Sequence, residues 1–202
     1  MLRFLLLLPI FALVMACSQS GEDLDEAPIP LGNFKLAHNI VIASKAVKGP
    51  LSREASEEEL TSALKDAIDA RFGRYEGEKL YHFGVSVEGY VLAQPGVPLV
   101  VSPKSILVVR VTVWDDAAGK KLNEEPEQMT IFESLSGETA LGSGLTQSAE
   151  EQLHNLTVNA AKRIERFLAE KQAEEGWFVP DPVTSDELDV QTDIDPAAIV
   201  VE

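Results

Sequence analysis

The sequence predicts an α+β fold: two amphipathic helices packed on one face of a mostly antiparallel four- to five-stranded sheet, in the order β-α-β-β-β-α. Three observations carry that expectation. Two capping boxes, Ser56-Glu57-Glu58-Glu59 and Ser148-Ala149-Glu150-Glu151, each open an apolar pattern of helical period. Four other segments alternate apolar and polar residues with strand period. A turn of Asp115-Asp116-Ala117-Ala118-Gly119 followed by Lys120 and Lys121 reads as a hairpin tip, which makes its flanking strands antiparallel neighbours.

The first strand sets Leu36, Ile40 and Ile42 on one face against Ala37, Asn39 and Val41 on the other. The helix opened by Ser56 carries Leu60, Ala63, Leu64, Ala67, Ile68 and Phe72 on one face, and Gly73 and Gly77 end it. From Tyr81 to Leu92, one face of a strand holds Tyr81, Phe83, Val85, Val87 and Val91. The clearest strand, Ser105 to Asp115, sets Leu107, Val109, Val111 and Val113 opposite Arg110, Thr112 and Trp114. Met129 to Leu135 gives a fourth strand. The second box opens a helix with Leu153, Leu156, Ala160, Ile164, Phe167 and Leu168 on its apolar face. A slip of one residue in any strand exchanges its two faces.

Ahead of this domain stands an export address. In MLRFLLLLPIFALVMA, Arg3 precedes an apolar run from Phe4 to Met15, too short for the roughly 20 residues that span a bilayer. The run ends in Val14-Met15-Ala16-Cys17, and Cys17 is the only cysteine. A single cysteine excludes an internal disulfide framework and a zinc site of several thiolates. An ordinary secretory signal cleaved after Ala16 is the alternative, yet it leaves Cys17 ahead of a polar stretch that cannot bury it.

Charge divides the remainder. The net charge of −16 argues against nucleic acid as a partner and against electrostatic adhesion to anionic headgroups. Residues 18–33 hold Glu22, Asp23, Asp25 and Glu26 with no basic residue, and residues 171–202 hold nine acidic residues against Lys171 alone. The expected organisation is therefore a signal peptide (1–16), a lipidated Cys17 with a flexible acidic tether (17–33), an α+β domain (34–170) and an acidic, largely disordered tail (171–202).

Val14 to Cys17 resembles the lipobox of bacterial lipoproteins, with Val14 in place of the commoner Leu. The resemblance implies that Cys17 is lipidated and becomes the first residue of the mature chain, a stable membrane anchor. Ser18 and Gln19, not Asp, follow the cysteine; within that family this implies the periplasmic face of the outer membrane, with the inner membrane as the other destination. Cys17, the helix 56–72, the strands 80–92 and 105–115, the Asp116-Ala117-Ala118-Gly119-Lys120 turn and the helix 148–169 together resemble small envelope-accessory lipoproteins. These include the lipopolysaccharide-assembly lipoprotein, the auxiliary lipoproteins of lipid-transporting ABC systems, and TolB-N-terminal-like and curli-secretion-type domains. The same features resemble alphaproteobacterial lipoproteins to which no activity is attached, so no catalytic residue is carried over.

The residues themselves give little chemistry. HExxH, GxSxG and GxxxxGK[ST] patterns are absent. Gly142-Ser143-Gly144 precedes a helix start, but Gln147 stands where a dinucleotide fingerprint needs Gly. His38 and His82 each lie in a strand and could meet with a carboxylate such as Glu88, while His154 stands apart; satisfied or solvent-facing histidines are the preferred reading. Asp115 and Asp116, with Glu124, Glu125 and Glu127, could hold a hard cation but lack the spacing of a calcium loop. Asn155-Leu156-Thr157 matches a glycosylation sequon inside a helix and is discounted. No catalytic residue, metal site or cofactor is assigned.

Two segments read as candidate partner contacts. The segment 93–103, AQPGVPLVVSP, is unusually apolar through Val97, Leu99, Val100 and Val101; alternatively it folds back onto the core. Trp177 and Phe178 follow the last helix and either cap the domain or join the tail in contacting a partner. The functional expectation is a non-enzymatic, membrane-anchored periplasmic lipoprotein that serves an envelope assembly or transport machine by binding a protein partner. The alternatives are a lipoprotein holding a lipid or small ligand between helices and sheet, and an enzyme with an unrecognised site.

Overall fold

The computed structural model describes residues 22–94, 105–133 and 147–179. A short 3-10 turn at Glu22–Leu24 leads to strand β1 (Lys35–Ile42), β2 (Val47–Lys48), helix α1 (Glu57–Phe72), β3 (Leu80–Val91), β4 (Ile106–Asp115), β5 (Lys120–Lys121), β6 (Glu127–Phe132) and helix α2 (Ala149–Glu175). This is the expected α+β architecture, with the two-residue strands β2 and β5 added. β3 and β4 form the antiparallel centre, β5 and β6 pair antiparallel with β4, and β1 and β2 pair parallel with β3. Parallel pairing of β1 and β3 requires a crossover, and α1 supplies it.

Both helices cover the same face of the sheet, α1 over β1 and α2 over β4 and β6. Leu107, Val109, Val111 and Val113 of β4 are buried beneath them, on the expected alternation. Each such side chain contributes about 1.5–3 kcal/mol by leaving water. Both capping boxes form, with Ser56 accepting from the Glu59 N–H and Ser148 from the Glu151 N–H. The expected end of the second helix at 169 moves to Glu175, where Gly176 adopts the left-handed conformation (φ 70°) that terminates it.

Two bulges revise the strand faces. A register shift between Leu36 and His38 turns Ile40 and Ile42 outward, 63% and 53% exposed, and brings Asn39 inward. There the Asn39 amide donates to Lys65 O and Asp69 Oδ1, tying β1 to α1. A second shift between Val87 and Gly89 buries Tyr90 in the place expected for Val91.

The expected tether is also revised. From Asp23 onward, residues placed in a flexible stretch ending at Asn33 lie against the domain, and Leu31 is 1% exposed. Phe34 sits at the centre of an aromatic cluster, its ring centroid 5.0–6.0 Å from those of Phe72, Tyr75, Tyr81, Phe83 and Phe178. The Asn33 N–H donates to Phe178 O at 2.8 Å, which staples the entering chain to the leaving one.

Gly77 makes that entry possible. Its N–H donates to Phe34 O at 3.0 Å, and a Cβ there would lie within 2.6 Å of Phe34 backbone atoms. Gly77→Ala should therefore destabilise the domain by about 1–3 kcal/mol through overpacking against backbone that cannot rotate away. A urea midpoint equal to wild type would show that the 34–77 contact is not part of the folded state.

Candidate functional site

α1 and α2 run parallel. The hydrogen bonds Arg53 Nη1 to Gln147 O at their N-terminal ends and Arg71 Nη1 to Glu165 Oε2 near the end of α1 both join residues 94 apart. Between the helices, on the solvent side, lies a cleft of about 830 Å³. The α1 wall presents Ala63, Ala67 and Ala70, with Glu59, Ser62 and Asp66 above them; the α2 wall presents Leu153, Val158 and Ala161, with Glu150, Glu151 and His154 above. Leu92, at the end of β3, joins the lining, as do Leu24 and Arg71 at the C-terminal end of α1.

Arg71 is 3% exposed, and its charge is matched within reach of every donor named here. Nη1 donates to Glu165 Oε2 at 2.8 Å, and Nη2 donates to both oxygens of Asp23 at 2.8 and 2.9 Å. Glu165, also 3% exposed, accepts further hydrogen bonds from the Tyr75 hydroxyl at 2.7 Å and from Arg74 Nη2 at 3.4 Å. Arg74 Nη1 donates to the carbonyls of Leu24 and Glu26, both at 2.9 Å, and Lys162 pairs with Asp23 at 3.0 Å. Two helices and the entering segment are thereby clamped at one point.

The clamp sets its own protonation states. Burial, and then the hydrogen bond to Glu165, push the Tyr75 hydroxyl well above the ordinary phenol range, so it stays a donor. Burial alone would raise the Asp23 carboxyl, but hydrogen bonds from Lys162 and Arg71 outweigh it and hold Asp23 below its usual value of 3.8. At the cleft mouth, Glu59 and Glu151 are lowered by the Ser56 and Ser148 backbone N–H groups, so both remain ionised.

Among the described residues, no helix covers the other face of the sheet. This face exposes Ile40, Ile42, Trp114 (40% exposed) and Phe132 (54%). His38 and His82 meet there as cross-strand partners with rings stacked 5.0 Å apart, and His82 Nε2 lies 2.8 Å from Asp116, not from Glu88. Gly84 leaves open space beside them, so Ile40, His82, Trp114 and Asp116 line a shallow hollow of about 420 Å³. Asp115 turns inward to Lys79 at 3.6 Å and to the Ala118 N–H at 2.9 Å. The carboxylates once considered as joint cation ligands therefore diverge, and no group of three His, Cys, Asp or Glu that could hold a metal occurs among the described residues.

Trp177 and Phe178 are not a contact surface. They are 7% and 2% exposed, with Phe178 stacked edge-on against Tyr81 at 4.8 Å and Trp177 against Phe167 at 5.8 Å. Their aromatic area goes to the domain's own core, which is the capping alternative. Cys17, Val97, Leu99, Val100, Val101 and Gly142–Gly144 lie outside the described residues. The stacked histidines correspond to the lesser of the two sequence readings for His38 and His82, and the clamp has no counterpart in the sequence reading. Its signal was present, because Arg71 and Glu165 fall on the buried faces of their helices beside Ile68, Phe72, Ile164 and Leu168.

No protein-family model matches the chain, and no curated relative matches it. Among solved structures, a protein of family DUF330 from Xanthomonas campestris is 14% identical, with 73% of this chain and 94% of that one covered at a TM-score of 0.44. A minor lipoprotein from Acinetobacter baumannii is 19% identical, with 71% and 96% covered at a TM-score of 0.35. PelC from Paraburkholderia phytofirmans, a dodecamer, is 11% identical, with 66% and 92% covered at a TM-score of 0.27. At these identities the likenesses assign no activity to this chain.

Two outcomes test the clamp. Arg71→Met should destabilise the domain by about 3–5 kcal/mol, because Glu165 stays buried with only the longer 3.4 Å contact from Arg74 as a cationic partner, and Arg71→Met with Glu165→Met should recover much of that loss. Denaturation of the two variants side by side decides it; a double variant as unstable as the single one would show that the pair is not the cause. The lowered Asp23 carboxyl contributes stability that is complete above its unfolded pKa and lost as pH falls through the lower, folded one. Amide exchange over residues 24–34 should accordingly rise below about pH 4. In Asp23→Asn this pH dependence should vanish, with exchange already fast at neutral pH.

Proposed function

We propose that the chain is a lipid-anchored protein of the bacterial envelope that acts by binding, as an accessory subunit of an assembly or transport machine. The observation that carries the binding role is the cleft of about 830 Å³, apolar in its lower walls and bordered by carboxylates, between two fixed helices. The anchor rests on Val14-Met15-Ala16-Cys17 and its resemblance to a lipobox. No helix among the described residues is long and apolar enough to cross a membrane, and a lipid on Cys17 supplies attachment without one. Ser18 and Gln19 favour the outer membrane.

The clamp changes what such an anchor does. Six residue steps separate Cys17 from Asp23, a reach of at most about 20–22 Å fully extended. The domain is thus held close to the bilayer, with the Asp23 end of the helix pair nearest the lipid. A free coil extending to Asn33 would have let it turn and wander.

A lipid- or small-ligand-binding role is the second reading, favoured by the size of the cleft, which falls in the range of small-molecule pockets. The layer between helices and sheet, where that reading placed a ligand, is filled by Phe34, Phe72, Phe83 and Leu168. A ligand would instead take the cleft on the outer side of the helices. Native mass spectrometry of the full mature chain separates the readings: a retained lipid mass favours the second, a clean apo mass the first. For the anchor, Cys17→Ser should move the protein from the membrane pellet to the soluble envelope fraction, and a variant that still pellets overturns lipidation.

A further inference from the structure

The cleft has a definite shape and an unbalanced charge, and together they specify an occupant. Its walls are two parallel helices, and α1 residues 59 to 70 run about 17 Å along it, three helical turns. Ala63, Ala67 and Ala70, four and three residues apart, form one smooth wall with no side chain beyond Cβ. Leu153 and Val158 supply the facing apolar ridge. Such a trough fits the apolar stripe of a third helix lying between the pair.

The charge narrows the choice. Glu59, Asp66, Glu150 and Glu151 line the upper walls, and among the described residues the only Lys or Arg in the lining is Arg71, already committed to Glu165 and Asp23. The N-termini of α1 and α2 lie at the same end of the cleft, where their dipoles would favour an anion. In each capping box the Ser hydroxyl instead takes the N3 N–H and the Glu carboxylate takes the N-cap N–H, which sets an ionised carboxylate at each of these helix ends. The rim repels the acidic residues 180–202, a second copy of this acidic chain and anionic headgroups alike.

We infer that the interhelical cleft is a docking groove for a basic, amphipathic α-helix of a partner protein. This rests on the binding role proposed above. The partner's apolar stripe lies on the alanine wall and Leu153, and its Lys or Arg residues reach Asp66, Glu59 and Glu150 at the rim. Those rim pairs govern encounter and orientation, and the apolar contact governs retention.

The test uses the full mature chain with Cys17→Ser, and two synthetic helices of about 18 residues, one patterned Lys/Leu and one Glu/Leu. Binding is read by fluorescence anisotropy at about 0.15 M salt, where long-range attraction is screened. The Lys/Leu helix should bind and the Glu/Leu helix should not. Asp66→Lys with Glu150→Lys should weaken binding about tenfold or more, and Ala67→Trp, which fills the trough and leaves every charge in place, should do the same. Glu124→Lys with Glu125→Lys, an equal charge change on the distant hairpin, should leave affinity within about twofold. Equal weakening by the hairpin variant, or no effect of Ala67→Trp, would mean general attraction to an acidic protein and overturns the groove.

In cells, a photo-crosslinking residue at Ser62 reads the groove and one at Trp114 reads the open sheet. A Ser62 adduct mapped to a basic amphipathic segment of another protein supports the proposal. Adducts to lipid, to a second copy or to residues 180–202 overturn it. Adducts from Trp114 alone also overturn the groove but keep the binding role, whereas silence from both positions removes the binding role itself.

Discussion

The buried guanidinium of Arg71 is the constraint on which the rest of this structure depends. Removing a charge from water is costly enough that the surrounding chain must supply compensating groups with little freedom in their placement. Glu165 fixes α2 against α1, in register and in direction. Asp23 brings the entering segment across both helices, and Arg74 holds that segment by its carbonyls. Once the segment is fixed there, Leu31 and Phe34 are delivered to the core, and Phe34 in turn gathers Tyr75, Tyr81, Phe83 and Phe178. A domain expected to begin at 34 and end at 170 therefore extends to Asp23 on one side and to Phe178 on the other.

Local signals were legible wherever structure is decided by neighbours in the chain. Both capping boxes form as read, because each needs only residues three apart and a following apolar pattern. The alternation of β4 survives intact, since a central strand packed beneath α2 admits no slip of its apolar face. What failed was decided at a distance. The outward turn of Ile40 and the inward turn of Asn39 follow from a bulge that lets the amide reach Lys65 O and Asp69, residues in another element. The docking of Asp23 depends on Arg71, 48 positions away, and an acidic stretch read by composition alone resembles any solvated tether.

The candidate site divides along the same line. A meeting of the two strand histidines was read only as the lesser alternative to satisfied or solvent-facing rings, yet parallel register stacks them, and the antiparallel β3–β4 register brings Asp116 instead of Glu88 to their side. The cleft was not readable, for it requires two helices to run parallel and to meet at Arg71–Glu165. Each helix alone shows an ordinary exposed face of alanines and carboxylates. Only the relation between the helices turns those faces into two walls of one space.

Clamp and cleft also share a residue, and this links anchoring to whatever the cleft holds. Arg71 lines the end of the cleft and simultaneously binds the segment that leads to Cys17. Leu24, held one residue beyond Asp23, contributes to the same lining. If the entering segment leaves the helices, the cleft loses Leu24 from that end, and Arg71 keeps only Glu165 as a carboxylate partner. The two states then differ in shape and in exposed positive charge, which is the differential interaction that any occupant needs in order to sense them. An occupant that favours the closed end stabilises the docked segment by the same free energy. The shape of the cleft at that end and the placement of the entering segment therefore depend on one buried guanidinium.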